Sequence, residues 1–241
     1  MRILDARGTV VDMLNRLARY QPVVALIKKH GPSSILEIGS GSIGIGEFCP
    51  QAFTGVDVSF VGATAPWMTP VTASATELPF PDNAFDLVIC MDMLEHVDPR
   101  MRVRVIEEAI RVARDQCIIG FPSGRPAHDA DAELHRWCRK KGVPVPAWLE
   151  EHVRTSFPEE DEVTALIRSR AGVSCICVGN ENLGVHGVIL RMEMHPRRWI
   201  RTAAFLLRYR LQALSGFILS LLSVPPYYRK LLIVRKKGST V

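Results

Sequence analysis

Apolar positions recur along this chain with two different periods, and the switches between them predict its elements. Val10, Leu14 and Leu17 fall on one helical face and predict a helix over Val10 to Tyr20, and Pro22 stands where a second helix can begin, to stop at Gly31 and Pro32. Ile35, Leu36 and Ile38 follow as a short apolar run, the mark of a strand covered on both faces, and the run breaks into a turn with glycine at 39, 41 and 44. Gly44 and Gly46 weaken any helix after that turn and Pro50 ends it, so a short connection leads to a second apolar segment, Phe53 to Val56, closed by Asp57. Downstream, Asp131 to Lys141 has helical character. Ser156, Phe157, Pro158 and Glu159 read as a capping box with proline in the first turn, opening a helix to about Arg170. Val173 to Val178 reads as a strand, Leu183 to Met194 as a helix, and Pro196 begins another helix that runs to about Val224.

The candidate chemistry centres on residues 35–57. Gly39-x-Gly41-x-x-Gly44 is a weak signal alone, because a glycine turn also serves plain chain reversal. Two acids sharpen it. Glu37 sits at the tip of the first strand, and Asp57 follows the glycines at the distance where a βαβ unit places the carboxylate that accepts ribose hydroxyls. A nucleoside-type cofactor site is therefore expected here.

Composition narrows the setting. At 241 residues with 47% hydrophobic, the chain suits one large α/β domain with insertions better than two independent domains. The six cysteines contain no Cys-x-x-Cys pair, which argues for a reducing compartment and against a disulfide framework or zinc ribbon. Cys175 and Cys177 alternate along a strand and so share one face, as core residues do. The first residues, MRILDARGTVVD, hold no sustained apolar stretch, so no signal peptide and a cytoplasmic location are expected. The net charge of +5 conceals an asymmetry: ten of the 30 Lys and Arg, and none of the 25 Asp and Glu, lie beyond position 196. A uniformly basic chain would point to nucleic acid. An acidic body with a basic, apolar tail points instead to an anionic membrane surface met peripherally through residues 197–237, with no nucleic-acid partner.

From Val71 to Val97 the chain reads VTASATELPFPDNAFDLVICMDMLEHV. With the segment before it, this resembles the class I S-adenosylmethionine-dependent methyltransferases, in particular the branch acting on small molecules and lipids. The shared elements are Glu37 with Gly39 and Gly41, then Asp57, Leu78 to Phe80, Phe85 to Cys90 and Leu94 to His96. Arg111 to Ser123 continues them as a helix and fifth strand, so the resemblance covers about residues 30 to 123. It implies a doubly wound, mostly parallel Rossmann-like α/β sheet with an antiparallel last strand, at Lys230 to Arg235, and a helical insertion before it. It also implies S-adenosylmethionine as cofactor. Glu37 would organise its methionine end, Gly39 and Gly41 would let the backbone lie against it, and Asp57 would hold the ribose. Val58 would pack on adenine, with Ser74 and the Ala75 amide at the adenine edge.

Two departures accompany this resemblance. Ser74 stands where the family has an acid, and a neutral hydrogen bond is roughly half as strong as a charge-assisted one. The family's third glycine falls at Ile43, with glycine displaced to Gly44. That displacement admits a nicotinamide-dependent oxidoreductase as an alternative. Against it, Glu37 would crowd a carboxylate beside a pyrophosphate, whereas the ammonium of a methionine end meets an acid favourably. A catalytically inactive adenosyl-binding module is the other alternative.

The activity expected is O-methylation of a small molecule, sugar or lipid-linked acceptor. Methyl transfer is an in-line displacement in which the protein chiefly aligns the acceptor and excludes water. His96, at the end of the fourth strand, is the candidate base and Asp92 the weaker one; alternatively the Leu-Glu-His turn only caps the next helix. A single domain over 1–241 is expected to carry a lid or acceptor cap at 124–155 and a helical insertion at 183–228. The cap holds His128, His135 and His152, which lack metal-ligand spacing, so no metal is expected. Leu211 to Val224 is uncharged but shorter than the ~20 residues of a spanning helix. It is expected to lie at a membrane interface or to pack as a soluble helix over the site.

Overall fold

The run Ile35–Ile38 lacks polar alternation because both its faces are covered. In a computed structural model, which describes residues 13–210 and 212–236, it forms strand β1 (Ile35–Ile38), fully buried and paired in parallel on both sides. Helix α1 (Met13–His30) precedes it, and β2 (Phe53–Asp57), β3 (Met68–Thr72) and β4 (Phe85–Met91) follow. Next come α2 (Pro99–Val112), β5 (Ala113–Pro122), α3 (Gly124–Lys141), α4 (Ala147–His152) and α5 (Glu160–Arg168). The chain ends with β6 (Val173–Asn182), α6 (Leu183–Glu193), α7 (Arg198–Tyr209), α8 (Gln212–Leu221) and β7 (Tyr227–Lys236).

The seven strands form one sheet in the order β3-β2-β1-β4-β5-β7-β6. Pairings from β3 to β5 are parallel, and the last strands run antiparallel. This is the Rossmann-like α/β fold expected. Because β1 is followed in sequence by β2 on one side but neighbours β4 on the other, the strand order reverses at β1. Ligands of open α/β sheets bind beyond the carboxyl ends of the strands at such a point.

The chain gathers into two compact units. A sheet unit comprises Val23–Phe121, Pro158–Val178 and the segment from Lys230 onward, with a core that includes Leu36, Ile38, Val88, Ile119 and Leu232. A helical unit comprises the chain up to Pro22, Pro122–Phe157 and Gly179–Arg229. Its apolar clusters centre on Leu134, Cys138, Leu149 and Leu190, and on Leu14, Ile189 and Ala204. The 124–155 and 183–228 segments both fall in this second unit.

Several boundaries differ from the sequence reading, each for a physical reason. One helix, not two, occupies the N-terminal segment, and α1 runs through Pro22. Proline lacks the N–H that would bond the carbonyl four residues back, that of Ala18; here the carbonyl accepts from Asn180 Nδ2 at 3.1 Å instead. Residues 10–12 of the expected helix, the segment read for a signal peptide and Lys237 lie outside the described residues. Helix α3 begins at Gly124 rather than Asp131. The capping box at Ser156 does not form: Phe157 is buried beside Ala127 and Tyr228, and the N-cap of α5 is Glu159. A residue before proline avoids the helical region, which postpones the helix until after Pro158. The long helix expected from Pro196 to Val224 is two helices. The Leu207 carbonyl, which a continuous helix would keep for itself, accepts from Ser215 Oγ at 2.7 Å. No described helix is long and apolar enough to cross a membrane.

Candidate active site

The backbone leaving β1 takes left-handed values at Gly39 (φ 73°), Gly41 (φ 54°) and Gly44 (φ 48°). At two of these, space matters as well as φ. A Cβ on Gly39 would lie 2.7 Å from Met93 Cγ, and one on Gly44 would lie 2.1 Å from Glu37 Oε2. The displaced glycine therefore has a local cause: the Glu37 carboxylate occupies the space a side chain at 44 would need. Glu37 is buried, and its Oε2 accepts from the Ile45 N–H at 2.7 Å. The loop is thus held by the acid at the strand tip. The N–H groups of Gly39 and Ser40 both donate to the Val56 carbonyl, at 2.8 and 3.2 Å, and tie the loop to β2.

Asp57 ends β2. Its Oδ2 accepts from the Gly41 N–H at 2.8 Å and its Oδ1 from the Ser59 N–H at 3.4 Å. A carboxylate offers about four acceptor sites, so capacity is left for two hydroxyls. Next to it, Val58 is 71% exposed, high for a valine beside a buried strand. Both line a cleft of about 550 Å³ in the sheet unit, within the usual range for small-molecule sites. The segment after β3 forms another wall through Ala73, Ser74, Ala75 and Thr76. Ser74 Oγ lies 2.8 Å from Thr76 Oγ1 and accepts from the Thr76 N–H at 3.2 Å. A hydroxyl has two acceptor sites and one donor, so it can accept once more if it donates to Thr76.

The third wall follows β4. Asp92 takes a left-handed φ of 47° and donates its N–H to the Gly120 carbonyl at 2.9 Å, turning the chain toward Met93 and the short 3-10 turn Leu94–His96. His96 is exposed and lines the cleft. The following helix is capped by a different residue: Asp98 accepts from the Arg100 N–H at 3.0 Å. The cleft thus brings together Gly39, Asp57, Val58, Ser74, Ala75 and His96. Glu37 and Gly41 are not among its lining residues; one holds the loop and the other orients Asp57. Sequence reasoning missed Ala73, Thr76, Met93, Val97 and Met101, which also line it. For Ala73, Thr76 and Met93 the signal was position, one to a few residues beyond a strand end, hidden in part because β3 itself went undetected; Val97 and Met101 lie farther on, at the entry to and within α2.

A second set of ionisable side chains is buried within the helical unit. Asp131 Oδ2 pairs with His152 Nδ1 at 2.7 Å and accepts from Tyr228 Oη at 2.9 Å. His186 stacks on the Tyr228 ring, with Nδ1 3.1 Å from Glu181 Oε1 and Nε2 3.5 Å from Asp131 Oδ1. Arg229, fully buried, donates to Glu181 Oε2 at 2.7 Å. Burial opposes the charged form of His186, but the Glu181 and Asp131 carboxylates outweigh it and raise the imidazole to about 9. Of this network the sequence reading singled out only His152. Of the other cap histidines, His135 lies 3.3 Å from Glu150, and His128 meets the Phe157 ring edge-on. The cysteines are unpaired thiols, and burial raises Cys90 well above its ordinary range and Cys117 to about 12, so these two are inert core residues.

Residues 36–121, from β1 to β5, match the family model described as a methyltransferase domain. No curated protein matches the chain. Among solved structures, a magnesium protoporphyrin IX methyltransferase from Synechocystis with bound S-adenosylhomocysteine is 15% identical, over 94% of this chain and 86% of that one, with a TM-score of 0.55. A putative methyltransferase from an antibiotic biosynthesis pathway of Anabaena variabilis is 16% identical over 90% of this chain and 98% of that one, with a TM-score of 0.56. A 1,6-didemethyltoxoflavin-N1-methyltransferase of Burkholderia thailandensis is 15% identical over 97% of this chain and 82% of that one, with a TM-score of 0.51. These structures share the fold, and the matched segment carries the loop, the acid and the cleft described above. Residues 36–121 thus match a methyltransferase domain, within a Rossmann-like fold that these methyltransferase structures share.

Proposed function

We propose that this protein is an S-adenosylmethionine-dependent methyltransferase that methylates a hydroxyl oxygen of a small-molecule, sugar or lipid-linked acceptor. The observation that carries the reading is a single cleft in which the Asp57 carboxylate and the exposed His96 imidazole both face the ligand space. The residues present fit the cofactor. Asp57 has acceptor capacity for both ribose hydroxyls, exposed Val58 covers one face of adenine, and Ser74 Oγ with the Ala75 N–H meets its edge. Glu37 holds the loop by accepting from the Ile45 N–H, and Gly39 lines the cleft where the methionine end would lie.

When bound, the cofactor supplies an electrophilic methyl group on a sulfonium. His96 takes the proton of the acceptor hydroxyl on an imidazole nitrogen as the oxygen attacks. Imidazole suits this because its ordinary range lies near neutrality, and a positioned base contributes ~10² to 10⁴ in rate. Apolar Met93, Val97 and Met101 beside it restrict water. The test offers methyl-labelled S-adenosylmethionine to the enzyme with phenolic, sugar and lipid-linked hydroxyl compounds and with matched amines. Label on oxygen supports the proposal, and label on nitrogen alone refutes it.

A further inference from the structure

Helix α8 packs the wrong way round for a water-soluble helix. Leu214, Phe217, Ile218 and Leu221 occupy positions i, i+3, i+4 and i+7, the stripe that normally faces a core. Here they are 52, 62, 42 and 62% exposed. The side that faces the protein holds Ser215 and Gly216, both buried, with Ser215 bonded to the Leu207 carbonyl and the Gly216 carbonyl accepting from Gln21 Nε2 at 2.7 Å, together with the half-buried apolar side chain of Leu219 against the cluster of Leu14, Ile189 and Ala204. These two hydrogen bonds and the packing of Leu219 fix the orientation, and the apolar stripe is turned outward. Trp199, Leu206 and Tyr209 add an exposed row on one side of α7, and Leu222 and Val224 extend the apolar surface past α8. Isolated exposed leucines are unremarkable, but a contiguous row of this kind marks an interaction surface.

Charge identifies the partner. Arg197, Arg198 and Arg210 are exposed beside these rows, and no acid occurs from Met194 to the end of the sequence. We propose that α7 and α8 form a docking surface for an anionic lipid bilayer, lying in the headgroup zone rather than crossing it. With 10 residues, α8 spans only ~15 Å, about half the hydrocarbon thickness. Trp199 and Tyr209 are of the type enriched at that depth, and flanking arginines meet the lipid phosphates. The proposal concerns the helical unit alone and is independent of the atom methylated.

Vesicle co-flotation of the intact chain tests it, with phosphatidylcholine vesicles alone and with about a third phosphatidylglycerol. Binding is expected to the anionic vesicles and to fall at least ~tenfold between ~0.1 M and ~1 M NaCl, as the Debye length shrinks from ~10 to ~3 Å. The double variant Phe217→Ser, Leu221→Ser removes outward side chains, so it is expected to lose vesicle binding at least ~tenfold while S-adenosylhomocysteine binding is unchanged. In the wild type a blue shift of tryptophan emission on adding anionic vesicles is expected to vanish with Trp199→Phe. Absence of co-flotation at low salt overturns the proposal, as does flotation that the double variant retains. Concentration-dependent dimerisation that the double variant abolishes, without vesicle binding, assigns the face to a second copy and likewise overturns it.

Discussion

Replacing His186 with glutamine removes a positive charge from between two buried carboxylates, and the consequence depends on pH in a direction the structure dictates. In the fold the imidazole rises from an ordinary 6.5 to about 9: burial disfavours the cation, but the carboxylates of Glu181 and Asp131 more than compensate. A group whose folded value is raised stabilises the fold fully below its unfolded value, and the contribution fades as pH climbs through the folded one. Here it is whole below about pH 6.5 and gone above about pH 9. The difference between those values corresponds to roughly 3 kcal/mol. Asp131 and Glu181 behave oppositely. Burial pushes both upward, but Asp131 is held below its ordinary value by His152 and His186, and Glu181 by His186 and Arg229. Their contribution is present above their ordinary values of 3.8 and 4.5 and is lost as pH falls through the lower folded ones. The same ion pairs underlie all three shifts, so the contributions are not summed.

Urea unfolding of wild type and His186→Gln at pH 6 and pH 10 reads this directly. Comparing the two proteins at each pH removes the titration of tyrosines, lysines and thiols common to both. The stability gap is expected to be larger at pH 6 and to narrow by roughly 3 kcal/mol at pH 10, or about 10 °C in melting temperature. A gap that stays constant between those pH values would falsify the charged state of His186 and with it the account of the network.

The remaining predictions concern the cleft. Asp57→Ala is expected to weaken S-adenosylhomocysteine binding by at least ~1.5 kcal/mol, about tenfold, in calorimetry, since it removes charge-assisted hydrogen bonds; an unchanged affinity counts against the ribose assignment. His96→Gln is expected to lower kcat ~10² or more with cofactor affinity intact, whereas normal turnover with a lowered melting temperature would reduce it to a structural part of its turn. Gly44→Ala is expected to cost ~1–2 kcal/mol from left-handed backbone and a further ~1.5–3 kcal/mol if the Glu37 carboxylate leaves the Ile45 N–H. Its melting temperature and S-adenosylhomocysteine affinity should fall together, and a wild-type melting temperature would contradict the packing of Glu37 on residue 44.

What could be read from the sequence follows from how each feature is encoded. The glycine loop, Asp57 and the strand carrying Phe85 to Cys90 obey local rules, in which φ, burial and a short run of residue types decide the outcome. Strand β3 escaped because Met68-Thr-Pro-Val-Thr72 has neither an apolar run nor clean alternation. It is an edge strand, where Pro70 is tolerated because one side of the backbone has no ladder to complete. The continuity of α1 through Pro22 depends on an amide from Asn180, more than 150 residues away, and no local rule anticipates that.

The buried network shows the same limit more sharply. Asp131, His152, Glu181, His186 and Tyr228 come from five different elements, α3, α4, β6, α6 and β7. None sits in a recognisable motif, and each alone reads as an ordinary surface polar residue. Burying such groups is unfavourable unless every charge is matched, and removing one partner strands another. A charged His186 answers Glu181 and Asp131 together, while Arg229 completes Glu181. Charge balance across the network is thus a joint property of its members, so the residues that hold the helical unit together are legible only once the chain is folded. The apolar stripe of α8 inverts that logic. Its i, i+3, i+4, i+7 pattern is plainly written in the sequence, yet pattern alone assigns it to a core. The polar bonds of Ser215 and Gly216 and the inward packing of Leu219 turn it to the outside, where the adjoining arginines match the anionic lipid surface proposed above.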